Sequence, residues 1–226
     1  MTRANSTLER ARQELRLILA GSMGGLLGIG GGVVLMPVLR FGVGLPPAEA
    51  AGSLRELVEL DLGDSRRRAL FVAALNATLR RLGRAAGTIH CRDDDPETCG
   101  PQIAAQVADQ ARGRPRTVGL VGLNPALAES LVRAFGAHAV RIVDRNADQI
   151  GQERFGVTIG DGGRDTAALI DAADVVLLTG TTLVNGTFDA IWSAIQAAGK
   201  RGIVYGVTAA GVAALLGIER MCPCGR

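Results

Sequence analysis

Residues 173–191 read ADVVLLTGTTLVNGTFDAI. Val175 to Leu178 are apolar without alternation, so a strand here is buried on both faces, as in a parallel sheet. Thr179, Thr181, Thr182, Asn185 and Thr187 then crowd around Gly180 and Gly186, just before helical spacing resumes at FDAI. A strand that only fills a core ends in an ordinary turn. This one delivers hydroxyls and backbone amides to one place, and a helix N-terminus there adds unpaired N–H groups and partial positive charge, which favour an anion. Plain turn chemistry, with capping of a helix that starts near Asn185 or Thr187, is the alternative.

The rest of the C-terminal half repeats the same rhythm. TVGLVG (117–122) reads as a buried strand, followed by a helix over NPALAESLVRAFG with Asn124 as cap, Pro125 at the first helical position and Gly136 as stop. AVRIVD (139–144) is the second strand, GVTIGD a short extra strand or turn, DTAALIDAA a helix and VVLLT the third strand. NGTFDAIWSAIQAAG is a helix, GIVYG a fourth strand and TAAGVAALLG the helix after it. Such β-α-β alternation implies an α/β fold, a Rossmann-like parallel sheet with helices on both faces. Ligands of such sheets bind outside the carboxyl ends of the strands. GLNP after the first strand, Asp144 ending the second and TGTTLVNGT after the third therefore should face one crevice.

The dinucleotide fingerprint is missing there. The glycines stand at 119 and 122, and Asn124-Pro125 occupies the place of the later glycines, which argues against bound NAD. Asp144, 22 residues beyond Gly122, is as readily a solvated turn residue as a ribose ligand.

Ahead of residue 117, LRELVEL and SRRRALFVAALNATLRRLG have helical spacing, the second with Asp64 or Ser65 as cap and Gly83 as stop. They form a small helical unit. GTIHCRDDDPETCGP (87–101) reads as a polar connector, QIAAQVADQAR as a helix whose first turn suits Pro101, and RGRPR (112–116) as a linker. The expected organisation is therefore 1–53, an N-terminal helix and glycine-rich apolar segment; 54–112, the helical unit with its connector; and 113–226, the Rossmann-like domain.

Composition narrows the chemistry. The chain has 226 residues, 47% of them apolar, enough for a sizeable core. Lys and Arg number 25 against 22 Asp and Glu, with no basic block interleaved with aromatics, so nucleic acid is not an expected partner. Cysteines stand at 91, 99, 222 and 224, and MTRANSTLERARQELR lacks the pattern of a cleavable signal. Reduced, cytoplasmic thiols are expected, which favours metal or redox chemistry over a disulfide framework. His90, Cys91 and Cys99 flank three aspartates, and Cys222-x-Cys224 is a C-x-C pair; thiolate and imidazole suit a divalent or soft metal ion. If the tail folds back over the carboxyl edge of the sheet, all five converge. His90 as a hydrogen-bonded connector residue, and the tail pair as plain reduced thiols, are the alternatives.

One segment departs from this pattern. Leu17 to Leu39 runs 23 residues without a charge, long enough to cross a bilayer, yet its many glycines weaken any helix. With the following RFGVGLPPAEAAGS, its GLLGIGGG and PP-x-E-A-x-G stretches resemble the first helix and loop of sulfite-exporter-like (TauE/SafE) permeases, over residues 20 to 53. It is either a glycine-rich, partly buried or poorly ordered segment of a soluble domain, or a single membrane anchor or fused remnant.

GTIHCRDDDPETCG, VGLVGLNPALAESL, VDRN, LLTGTTLVNGTFDAI and VYGVTAAGVAALLG together resemble the heavy-metal chelation domain family, whose hallmark is a T-G-T-T-L-V-N-G-T block. The match runs from about residue 52 to the C-terminus. The resemblance implies a Rossmann-like domain beside a smaller domain similar to the enolase N-terminal fold, here truncated to its helical part. It also implies a cleft lined by Gly122, Asn124, Asp144, Thr179, Gly180, Thr181, Thr182, Asn185 and Gly186. A metal-handling protein that binds a metal or an anionic metal chelate is the leading expectation. An enzyme or binding protein for a phosphorylated or nucleotide-like molecule is the second, and a membrane-tethered transport accessory acting through 17–39 the third. No nucleophile–base pair stands out, since His138 sits at a strand entrance and His90 is the only other histidine. A homo-oligomer is left open.

Overall fold

A computed structural model describes residues 6–21, 54–90, 95–110 and 116–226. In chain order the elements are α1 (Thr7–Gly21), α2 (Leu54–Glu59), α3 (Ser65–Arg81), α4 (Asp95–Gln110), β1 (Val118–Val121), α5 (Pro125–Phe135), β2 (Val140–Asp144), β3 (Glu153–Arg154), β4 (Val157–Asp161), α6 (Thr166–Ala172), β5 (Val175–Thr179), α7 (Thr181–Asn185), α8 (Phe188–Ala197), β6 (Arg201–Tyr205), α9 (Ala210–Leu216) and β7 (Arg220–Met221). Linker 112–115 and residues 22–39 of the apolar stretch lie outside the described residues. Among the described residues, no helix is long and apolar enough to cross a membrane.

The chain divides into two compact units. The larger holds a seven-stranded sheet in the order β3-β4-β2-β1-β5-β6-β7. All pairs are parallel except β3 with β4. The sequence expectation of an α/β parallel sheet therefore holds, with β1 at the point where strand order reverses. All four residues of β1 are buried, as are Val175 to Leu178 of β5, which accounts for apolar runs without alternation. One face of the sheet packs Leu120, Ile142, Leu177 and Ile203 beneath Ile103, Val107, Leu127 and Leu131 from α4 and α5. On the other face, Leu169 and Ala173 crowd Gly119, while Trp192 and Ile195 crowd Gly202.

Several boundaries differ from the sequence reading. The segment GVTIGD is a full strand paired to β2, with β3 turned back along it as a hairpin. The polar connector becomes helical from Asp95, so Pro101 sits inside α4 and not in its first turn. Pro96 meets the initiation role that Pro101 was expected to fill. What the early start achieves is contact between helices. A β-carbon on Gly100 would lie 2.6 Å from both the Ala126 carbonyl oxygen and Ser130 Oγ, so α4 and α5 touch at a position only glycine permits. β7 was also absent from the sequence reading, since two residues are too few to show a period.

The other unit is helical, formed by described residues up to Thr88 together with 180–189 and 208–218. Asp64 caps α3, its side chain accepting from Arg67 N–H, and Gly83 follows the end of that helix, as the sequence indicates. Phe71, Leu75 and Leu79 of α3 and Ala11 and Leu15 of α1 are fully buried. Asn76, buried among them, donates to the Thr208 carbonyl at 3.2 Å and accepts from Gly211 N–H at 2.6 Å, which ties α9 to α3.

Gly100→Ala tests the helix contact. The overpacked methyl meets backbone oxygen that cannot move aside, so the variant is expected to lose about 1–3 kcal/mol in urea unfolding. An unchanged midpoint contradicts the close approach.

Candidate functional site

The carboxyl edge of the sheet starts from the register of β1 on β5, Val121 opposite Leu178, which sets Gly122 beside Thr179. A β-carbon at Gly122 would fall 2.5 Å from Thr179 Cγ2 and 3.3 Å from the Tyr205 hydroxyl, and its φ of 91° is one that favours glycine. The Tyr205 hydroxyl donates to the Gly122 carbonyl at 2.6 Å. Asp144, ending β2, accepts from Leu123 N–H at 2.5 Å on one oxygen and from Asn146 N–H at 2.7 Å on the other. Asn124 accepts from Leu127 N–H at 3.0 Å and so caps α5. Gly122, Asp144 and Thr179 thus meet at one rim, where Tyr205 and the backbone already engage their polar groups.

Residues 180–189 belong to the helical unit. Thr181 to Asn185 form the short helix α7, which the sequence reading took for part of the turn. Thr182 is buried, and Gly186 takes the left-handed conformation that ends the helix. Asn185 Oδ1 accepts from Thr187 N–H at 3.1 Å and Thr187 Oγ1 at 2.7 Å, starting α8 at Phe188. Asn185, Gly186 and Thr187 serve two helix ends in close succession.

The third group of candidates lies at the end of β7. The C-terminal tail is held by two backbone bonds, Ile89 N–H to the Arg226 carbonyl at 2.8 Å and Arg226 N–H to the Ile89 carbonyl at 3.0 Å. This brings the tail to the neighbour of His90 in sequence. Cys99, in the first half of α4, is half-buried and hydrogen-bonded to the Cys222 thiol and to the backbone and thiol of Cys224. The bond to Cys222, then burial, push the Cys99 thiol far above its ordinary value. None of Cys99, Cys222 and Cys224 is joined in a disulfide. Cys91 lies outside the described residues. Among the described residues no group of three or more His, Cys, Asp or Glu is disposed to hold a metal ion as it stands. The thiols are engaged with one another.

Residues 106–218, half of the chain, match the model of a family described as "Putative heavy-metal chelation", DUF364. The chain belongs to that family. A DUF364 protein of unknown function from Desulfitobacterium hafniense has the same general fold, with TM-score 0.52 and 17% identity over 83% of this chain and 70% of that one. Another DUF364 protein of unknown function, from Pyrococcus horikoshii, gives TM-score 0.47 and 18% identity over 69% of this chain. This chain spans about half of that protein, 53% of its length. No curated protein matches.

Within this DUF364 chain, Cys99, Cys222 and Cys224 lie outside the matched residues, whereas Gly122, Asn124, Asp144 and the run from Thr179 to Gly186 lie inside them. Sequence reasoning passed over Tyr205 and the Ile89–Arg226 pairing. Tyr205 had a signal available, being the chain's one tyrosine and standing at the carboxyl end of a strand.

Tyr205 also sets a pH dependence. Burial raises its pKa above the ordinary 10.0, with the Thr179 hydroxyl bond opposing. Below that value both folded and unfolded chains keep the proton; above it the unfolded chain releases the proton and the folded one does not, so stability falls as pH rises. Urea midpoints measured on either side of that value should show this fall in the wild type and a shallower one in Tyr205→Phe. Equal slopes contradict the assignment.

Proposed function

We propose that this protein binds thiophilic metal ions through Cys99, Cys222 and Cys224, with His90 and Cys91 as adjacent chain positions. The observation that carries the reading is the thiol contact between Cys99 and the tail pair, residues far apart in sequence. The fit is one of donor chemistry. Sulfur donors suit Cu(I) and other soft ions, and two thiolates suffice for an ion that accepts low coordination numbers. The description of the family names the same chemistry. Cys99 and Cys222 would hold the ion, with Cys224 beside them, and a bound ion would require their thiols as thiolates. Uptake therefore releases protons, and affinity increases with pH.

Anaerobic titration with Cu(I), read by thiolate-to-metal ultraviolet absorption and a competing chelator, tests this. The wild type should bind one ion per chain, more tightly at higher pH. Losing a sulfur in Cys99→Ser should cost at least the roughly 10- to 100-fold typical of weaker, outer-shell changes. The variant with all four cysteines changed to Ser should show no thiolate absorption. Equal and negligible binding by the wild type and this variant rules the reading out.

A further inference from the structure

The helical unit contains a cavity of about 250 Å³ with a polar and apolar lining that none of the thiol chemistry uses. Leu8, Leu183 and Phe188 supply apolar wall, and two opposite charges, Arg68 and Asp189, stand in the same lining. Three main-chain carbonyls fix the Arg68 guanidinium: Nε donates to Val184 at 2.7 Å, and Nη1 to Leu62 at 2.9 Å and Gly63 at 3.1 Å. Carbonyl dipoles orient the group without cancelling its charge. Nη2 has no acceptor among the described residues, and it lies 3.2 Å from where a β-carbon on Gly186 would stand, so that glycine keeps this edge uncovered.

Asp189 is held in a parallel way. Its Oδ1 accepts from Thr7 N–H at 2.8 Å and from the Thr7 hydroxyl, leaving Oδ2 without a donor among the described residues. Neither Arg68 nor Asp189 enters an ion pair among the described residues. The other two acids of the lining are already matched, Glu9 by Arg12 at 3.3 Å and Asp61 by Arg67 at 3.0 Å. Opposite charges in one lining ordinarily pair when they can reach, and these two are instead engaged by the backbone and a hydroxyl.

We infer that this cavity binds a small zwitterion of the amino-acid class, its carboxylate on Arg68 Nη2 and its ammonium on Asp189 Oδ2. A bare anion would satisfy Arg68 and leave Asp189 facing it, and a bare cation would do the reverse. Only a ligand with both charges neutralises both walls, while Leu8, Leu183 and Phe188 cover a short apolar side chain. A planar carboxylate suits guanidinium N–H donors.

The full chain is screened by thermal unfolding against millimolar L-alanine, L-serine, L-valine and L-leucine, with acetate, ethylammonium and inorganic phosphate as single-charge probes. At least one amino acid should raise the melting temperature, because a ligand that binds only the folded state stabilises it. The single-charge probes should not. Asp189→Asn keeps an Oδ1 acceptor for Thr7 and so keeps the fold, yet should weaken calorimetric affinity roughly tenfold or more by leaving the ammonium unpaired. Arg68→Lys should weaken it similarly. Stabilisation by acetate or phosphate equal to that by amino acids overturns the inference, as does an absence of any amino-acid effect or unchanged affinity in Asp189→Asn. Serine substitution of the four cysteines should leave this binding intact, which separates it from the metal reading.

Discussion

Complete burial of β1 between β2 and β5 is the constraint on which the sheet and its rim depend. A parallel strand with neighbours on both sides and helices on both faces has no edge to accept an error of register, and a slip of one residue would turn every side chain over. With Val118 opposite Val140 on one side and Val175 on the other, the carboxyl ends of three strands fall at one level. Everything polar at the rim follows from that alignment. Gly122 meets Thr179, Tyr205 closes over Gly122, and Asp144 takes the Leu123 amide that the turn would otherwise leave unpaired.

The edge of the sheet supplies the second feature. β7 is only two residues long, too short to hold the tail by itself, and the reciprocal pairing of Ile89 with Arg226 fixes its far end. Between those anchors lie Cys222 and Cys224, and the early start of α4 at Asp95 brings Cys99 to them. Gly100, the next residue after Cys99, is where α4 presses on α5. The same stretch that fixes the helix contact therefore fixes the position of a thiol.

β1, β2, β5 and β6 were legible, β1 and β5 most plainly because strands buried on both faces read as unbroken apolar runs, and the caps at Asp64 and Asn124 because their side chains bond to the backbone of the first turn. Less legible was whatever depended on distant pairing. Nothing local marks Arg220 and Met221 as a strand, since the pairing with β6 makes them one. Pro101 looked like a helix start because proline is favoured there, but Pro96 fills that role and the helix continues through Pro101. The hydroxyl-rich run from Thr179 was read as a single turn, and the structure divides it between a strand end, a short helix and the cap of the next. The thiols were recognised as a set by their chemistry. Their meeting rested on a fold-back that no spacing in the sequence could express.

The central claim, that the fold brings Cys99 to the tail, is most directly tested by brief mild oxidation followed by peptide mapping under non-reducing conditions. The predicted product joins the peptide containing Cys99 to the C-terminal peptide containing Cys222 and Cys224. Recovery of Cys99 only as an unlinked peptide, with the tail cysteines oxidised elsewhere, would contradict it.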